Sequence, residues 1–278
     1  MALQTDQIAL ANVVAGAKPI DPMIEGGNRS FVGYVDASDG SRHRAFIKDL
    51  GRKQLCNELF ASALGRALGL PMPRPFLALV DPEDMDEEFY LEHAPTLGHS
   101  AYRLVFASED ADCPSLSQLY IGDDVDVIIE KLREFPEFWH SLSFDEWVAN
   151  IDRHPGNYLL SSARGVLLID HDQCLTGPFW TLPALDPASH QRNRMIEEHL
   201  AGKLTDADVD RVVDSSKALS AEASAMSLDS VVVASLLKRA ELGIVLPEEL
   251  DAIYAFVCAR AGLVLRCVSE KVGRRILV

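Results

Sequence analysis

The sequence predicts an α+β fold, with a small β-rich first part carrying one helix and a mainly helical remainder. Three observations predict it. Two strand-like runs, 31–35 and 44–50, flank the turn-rich Ser38-Asp39-Gly40-Ser41. Residues 53–68 then place Leu55, Leu59, Ala63, Leu64 and Leu68 at helical spacing. About the last hundred residues read almost entirely as helix.

In chain order, the two strands form a hairpin preceded by Gly26-Gly27-Asn28-Arg29-Ser30. The helix that follows is stopped by Gly69, Pro71 and Pro73. Strands resume at 76–80 and 102–107, and the acidic stretch 81–88 between them reads as a solvated loop. The polar residues 108–117 mark a division, giving units 1–107 and 108–278. Helical patterning starts near Val125, and 144–150 reads as the end of a helix. A Pro/Gly turn at 152–156, a short strand at 158–160, a turn at Arg164-Gly165 and an apolar strand at 166–169 come next. Helices are expected at 228–242 and beyond Pro247-Glu248-Glu249, where proline and acids suit a first turn.

The 278 residues suffice for one large domain or two packed lobes. Hydrophobic residues at 48% and charged residues at 24% describe a globular chain rather than a disordered one. The net charge of -16 repels phosphate backbones and anionic bilayers, which argues against nucleic acid or membrane as a partner. An anionic ligand would need a few local cations or a metal. The five cysteines are scattered with no zinc spacing and read as reduced and mostly buried. No basic start precedes Lys18, and the apolar runs 8–17 and 231–237 fall short of a membrane span, so a cytoplasmic protein is expected.

The chemistry concentrates in Asn150-Ile151-Asp152-Arg153-His154-Pro155-Gly156-Asn157 and Val166-Leu167-Leu168-Ile169-Asp170-His171-Asp172. Phosphoryl transfer needs a carboxylate beside the attacking hydroxyl and hard oxygen ligands for Mg²⁺. Asp152 supplies the first; Asn157 and Asp170, brought together by the hairpin between the segments, supply the second. A bare Asp-x-x-x-x-Asn arises by chance about once in a few hundred residues, so the following hairpin with its apolar return strand carries the assignment. The competing reading is an Asx-rich surface loop with capping aspartates.

Asn-x-Asp-Arg-His-x-x-Asn followed by an apolar strand and Ile-Asp-His resembles the catalytic and metal loops of HipA-like kinases. It is similar, more loosely, to phosphatidylinositol 3- and 4-kinases. The resemblance spans about residues 25 to 180 and implies a bilobal protein-kinase-like fold that uses ATP and Mg²⁺. It implies Asp152 as catalytic base beside Asn157, and Asn157 and Asp170 as metal ligands. Ala45-Phe46-Ile47-Lys48 matches the strand lysine that contacts the α- and β-phosphates. Glu58 would hold that lysine, Gly26, Gly27 and Asn28 would lie over the phosphates, and adenine would stack near Phe106 and Ala107. Ser30, in the same loop, is a candidate for phosphorylation.

His171-Asp172 stands where ordinary protein kinases have Phe-Gly, and the short span to Ala184 leaves no room for a long activation loop. Asp172 either adds a carboxylate near the metal or caps the next turn, and His154 reads as structural. The expected activity is a HipA-like serine/threonine protein kinase. The alternatives are a small-molecule or lipid kinase and a non-catalytic nucleotide-binding module. The phosphoacceptor, protein or small molecule, is not legible, and nothing in the sequence supports an antitoxin-type partner.

Overall fold

The protein is described by a computed structural model covering residues 8–20, 28–119, 125–226 and 242–274. It is a mixed α+β structure. Six strands, β1 (Ala9–Val13), β2 (Lys18–Pro19), β3 (Ser30–Ala37), β4 (Arg42–Lys48), β5 (Pro75–Val80) and β6 (Arg103–Glu109), make one sheet in the order β1-β5-β6-β4-β3-β2. β1 also pairs with β3, Ala11 opposite Ala37, so five of the strands close into a ring. The β3–β4 hairpin turns at the predicted Ser38 to Ser41, where Gly40 takes a positive φ.

Period-2 alternation divides the side chains of this ring. Phe31, Val35, Ile47, Phe76 and Val105 fill its interior, where Phe31 meets Phe89 edge-on at 4.8 Å. Each such fully buried side chain contributes roughly 1.5–3 kcal/mol. Leu77, Leu104 and Phe106 face outward and join a second, larger cluster. Buried Asp49, one residue past β4, accepts from the backbone N–H groups of Glu92, His93 and Ala94 at 2.8–3.0 Å and ties that loop to the strand end.

Helix α1 (Arg52–Ala67) follows directly and matches its prediction to within a residue at each end. Its Leu55, Leu59 and Leu64 join the larger cluster, which also takes in Phe144 and Trp147 of α4 (Pro136–Val148). Between these helices lie α2 (Leu116–Leu119) and α3 (Val125–Leu132). The hairpin of β7 (Tyr158–Ser161) and β8 (Gly165–Leu168) follows α4, then α5 (Asp206–Ala225), α6 (Pro247–Ala261) and α7 (Val264–Lys271). Among the described residues these are seven α-helices.

The expected helix at 228–242 lies, apart from Leu242, outside the described residues. The division at 107/108 falls inside β6, which runs on to Glu109 because Ala45 still pairs with it there. All five thiols are free, but only Cys56 and Cys174 are buried; Cys258 is exposed on α6, against the expectation that most are buried. Among the described residues no single helix is long and apolar enough to cross a membrane.

Candidate active site

Lys48 ends β4 opposite Ser30 of β3 and Phe106 of β6. Its Nζ donates to Glu58 Oε1 at 2.6 Å and to Asp170 Oδ1 at 3.0 Å. Glu58 comes from α1 and is 1% exposed; its second oxygen, Oε2, is buried with no hydrogen-bond partner among the described residues. Burial disfavours the Lys48 ammonium, but Asp170, Glu58 and Asp172 outweigh it and raise its pKa. Glu58 is pushed up to about 7 by burial, against the pull of Lys48 and with added repulsion from Asp170 and Asp172. Burial works the same way on Asp170, yet Lys48 dominates and holds that carboxyl near 2. Three carboxylates therefore act on one ammonium.

The Asp152 to Asn157 loop starts where α4 stops, with Ala149 in the left-handed region at φ 52°. Asn150 Oδ1 accepts from Asp152 N at 3.2 Å. His154 Nδ1 accepts from Gly156 N at 3.1 Å and caps the 3-10 turn Pro155–Asn157, the structural role expected of it. Pairing of Tyr158 with Leu168 in the β7–β8 hairpin brings the two chemical segments side by side, and Ile169 N donates to Asn157 O at 3.1 Å. Asp170 follows at φ 63°, a conformation that aspartate tolerates better than most residues.

Arg153 staples the two segments from within. Its side chain is fully buried and grips Asp145 of α4 with two nitrogens, at 2.8 and 3.0 Å. It donates also to the carbonyls of Asn157 and Ile169 and to His171 Nδ1. This residue belongs to the motif, yet its type alone would suggest a solvent-facing cation rather than a buried staple.

Lys48, Glu58 and Asp170 meet, and Asn157 lies beside Asp170 across the hairpin. Asn157 Nδ2 reaches back to the Asp152 carbonyl at 3.4 Å. Asn28 Nδ2 donates to Asp172 Oδ2 at 2.7 Å, and Gln54 Nε2 to the same oxygen at 2.9 Å. The Asp172 carboxylate is thus held by side-chain amides, and capping of the next turn is not its role. Gly26 and Gly27 lie outside the described residues. Ser30 is buried at the start of β3. Phe106 has its ring 6.0 Å from Lys48 Nζ, whereas Ala107 points into the ring core. Both residues are paired with β4 and β5, so the expected adenine position lies within β6, which ends only at Glu109.

Arg194, which no motif pointed to, donates through Nη1 to Asp152 Oδ1 at 2.6 Å, and the Asp152 side chain is 41% exposed. Asn57 of α1 was likewise missed: its Nδ2 faces the carbonyls of Asp172, Cys174 and Gly177 at 2.7, 2.8 and 3.0 Å. Among the described residues no group of three or more His, Cys, Asp or Glu side chains is placed to hold a metal by itself.

A strand lysine shared between a helix glutamate and an aspartate that follows a hairpin, with an Asp-x-x-x-x-Asn loop alongside, is the arrangement of a kinase-type protein. The family is narrower than that class. The sequence profile of HipA-like kinases matches residues 20–184, more than half of the chain, and the chain belongs to that family. No curated protein matches the sequence.

Proposed function

We propose that this HipA-like kinase has two lobes dividing near the end of β6 and transfers the γ-phosphoryl group of ATP, with Mg²⁺, to a serine or threonine hydroxyl of a protein. The observation that carries the reading is Lys48 Nζ bridging Glu58 and Asp170. An ammonium held this way is a fixed positive point for the α- and β-phosphates. The closed core of the β-ring supports a distinct first lobe, and the larger cluster, which joins α1 and the outer faces of β5 and β6 to the later helices, would pack that lobe on the second.

The donor set fits Mg²⁺. Asp170, Asp172 and a Glu58 carboxyl pushed up to about 7, hence only partly ionised at neutral pH, still outweigh the one lysine among them, and Glu58 keeps an unpartnered buried oxygen, so the site carries uncompensated negative charge. Mg²⁺ typically takes one or two protein oxygens and fills its shell with phosphate and water, which suits Asn157 and Asp170 as its holders. When bound, it would neutralise charge on the β- and γ-phosphates. Asp152 accepts the acceptor hydroxyl's proton, and its open carboxylate suits a residue presented on a protein surface. Adenine would lie near Phe106, whose buried ring backs that position from within the core beside Lys48, and Asn28, anchored on Asp172, holds the last residue of the turn that would cover the phosphates.

Transfer of radiolabelled γ-phosphate with Mg²⁺ and a generic protein acceptor tests this. Label should appear on protein, fall by about 10²–10⁴ in Asp152→Ala with Mg·ATP affinity nearly unchanged, and fall in Asp170→Ala with weaker Mg·ATP binding too. Lys48→Ala should lose transfer through poor phosphate positioning. Mg·ATP binding without label on protein would point to a small-molecule acceptor; absence of binding would sink the reading.

A further inference from the structure

Asp152 is engaged on one side only. Arg194 Nη1 holds Oδ1 at 2.6 Å, and Oδ2 has no hydrogen-bond partner among the described residues. Arg194 immediately precedes a short π-helical turn, Met195–His199, and its Nε lies 3.4 Å from Glu198 Oε2. The adjoining residue fixes its backbone: buried Asn193 donates through Nδ2 to the Leu142 carbonyl of α4 at 3.0 Å, and its Oδ1 accepts from Ile196 N at 3.3 Å. The same α4 leads into the Asp152 loop, so arginine and aspartate are mounted on one rigid support.

The loop's own cation is not free for this task. Arg153 is buried and committed to Asp145, two carbonyls and His171. Lys48 is spoken for by Glu58 and Asp170. A carboxylate with one oxygen clamped and the other open presents a defined lone pair to an incoming hydroxyl, where a freely turning one would not.

Building on the kinase reading above, we propose that Arg194 is the positioning residue of Asp152. It fixes Oδ1 and leaves Oδ2 to take the proton of the acceptor hydroxyl while the acceptor oxygen bonds to the γ-phosphorus. The bridging P–O bond to ADP breaks in the same step, and ADP leaves with its electron pair.

The test compares steady-state transfer, Mg·ATP affinity by calorimetry and thermal midpoint in Arg194→Ala, Arg194→Lys, Asp152→Ala and the Asp152→Ala/Arg194→Ala double variant. Arg194→Ala should lower kcat by about 10- to 100-fold, leave KM for ATP within about twofold, and recover activity with added guanidinium. Arg194→Lys, which keeps the positive charge and N–H donors on a single nitrogen, should recover part of the loss, and it carries the test if the alanine variant does not fold. In the Asp152→Ala background the arginine substitution should cost nothing more, because the partner through which it acts is gone. Additive losses, an unchanged kcat, or a loss confined to KM or the thermal midpoint would each overturn the inference. A wild-type protein that binds no Mg·ATP refutes the kinase reading and this inference together, and one that binds it but labels no protein overturns the protein-acceptor reading and the inference resting on it; active wild type with fully active Arg194 variants overturns the inference alone.

Discussion

Replacing Arg153 with methionine removes the one cation that faces Asp145 among the described residues, and both side chains of that pair are fully buried. Asp145 then has two options. It stays ionised without a partner, which costs about 3–5 kcal/mol in a protein interior. Alternatively it takes a proton at pH 7, which costs about 4 kcal/mol for a carboxyl whose ordinary pKa is near 3.9. The two routes converge on a loss of about 4 kcal/mol, or roughly 8 °C in thermal midpoint at about 2 °C per kcal/mol for a chain this long. Burial already pushes the Asp145 carboxyl up, with Arg153 pulling the other way. Without Arg153 its folded pKa rises further above the unfolded value, so the penalty is largest at neutral pH and fades as pH falls toward the ordinary carboxylate range. Urea denaturation of wild type and Arg153→Met at pH 7 and near pH 4.5 should show the gap closing on acidification. The Arg153→Met/Asp145→Asn double variant, which keeps an acceptor for Asn150 Nδ2, should regain more than half of the loss at pH 7. A loss below about 1 kcal/mol, or one independent of pH, would refute this account of the staple.

Two further substitutions probe the surroundings. Asn57→Leu leaves the carbonyls of Asp172, Cys174 and Gly177 and the Trp180 indole N–H without their side-chain partner; a loss of about 1–3 kcal/mol in chemical denaturation is expected, and a neutral result would mean that water replaces the amide. Burial, with a smaller contribution from Arg194, lowers the pKa of His199, whose Nε2 is buried without a partner among the described residues. The unfolded chain therefore takes up that proton first as pH drops through about 6.5, and stability falls with it. The thermal midpoint of His199→Asn should decline less than that of wild type between pH 7.5 and 5.5; parallel curves would remove His199 from the pH response.

Short-range geometry was legible in the sequence. A Pro/Gly turn, an apolar return strand and the aspartate after it fix the relation of Asn157 to Asp170 within a dozen or so residues, and β4 followed at once by α1 does the same for Lys48 and Glu58. Long-range closure was not legible. β1 comes from a run that read only as too short for a membrane, because an apolar pentapeptide does not reveal that it will pair with both β3 and β5. Arg194 closes the polar run His190 to Asn193 with no periodic pattern around it, so only the chain's path back across α4 makes it Asp152's partner. The amides on Asp172 were hidden for a similar reason: Asn28 and Gln54 lie more than a hundred residues from it, and amides carry no charge signal.

These long-range contacts decide how the site behaves before any ligand arrives. α1 is tied to the C-terminal part at three levels: Arg52 to Glu249 of α6 at 2.7 Å, Lys53 to the Trp180 carbonyl, and Asn57 to the carbonyls that follow Asp170. Moving α1 would break the bonds that hold the Asp170 segment, so Glu58, Lys48 and Asp170 shift as one unit or not at all. The ordering cost of that half of the site is met during folding, which leaves binding free of it. In kinases where the equivalent helix swings, activity is set by whether the lysine–glutamate pair forms. Here the pair is formed and tethered, and the lightly held group is Asp152, restrained through its carboxylate by a single arginine. On the function proposed above, breaking the Asp152–Arg194 pair would alter the proposed base and leave the Lys48–Glu58–Asp170 cluster intact, so the Arg194 variants should lose transfer and keep Mg·ATP binding.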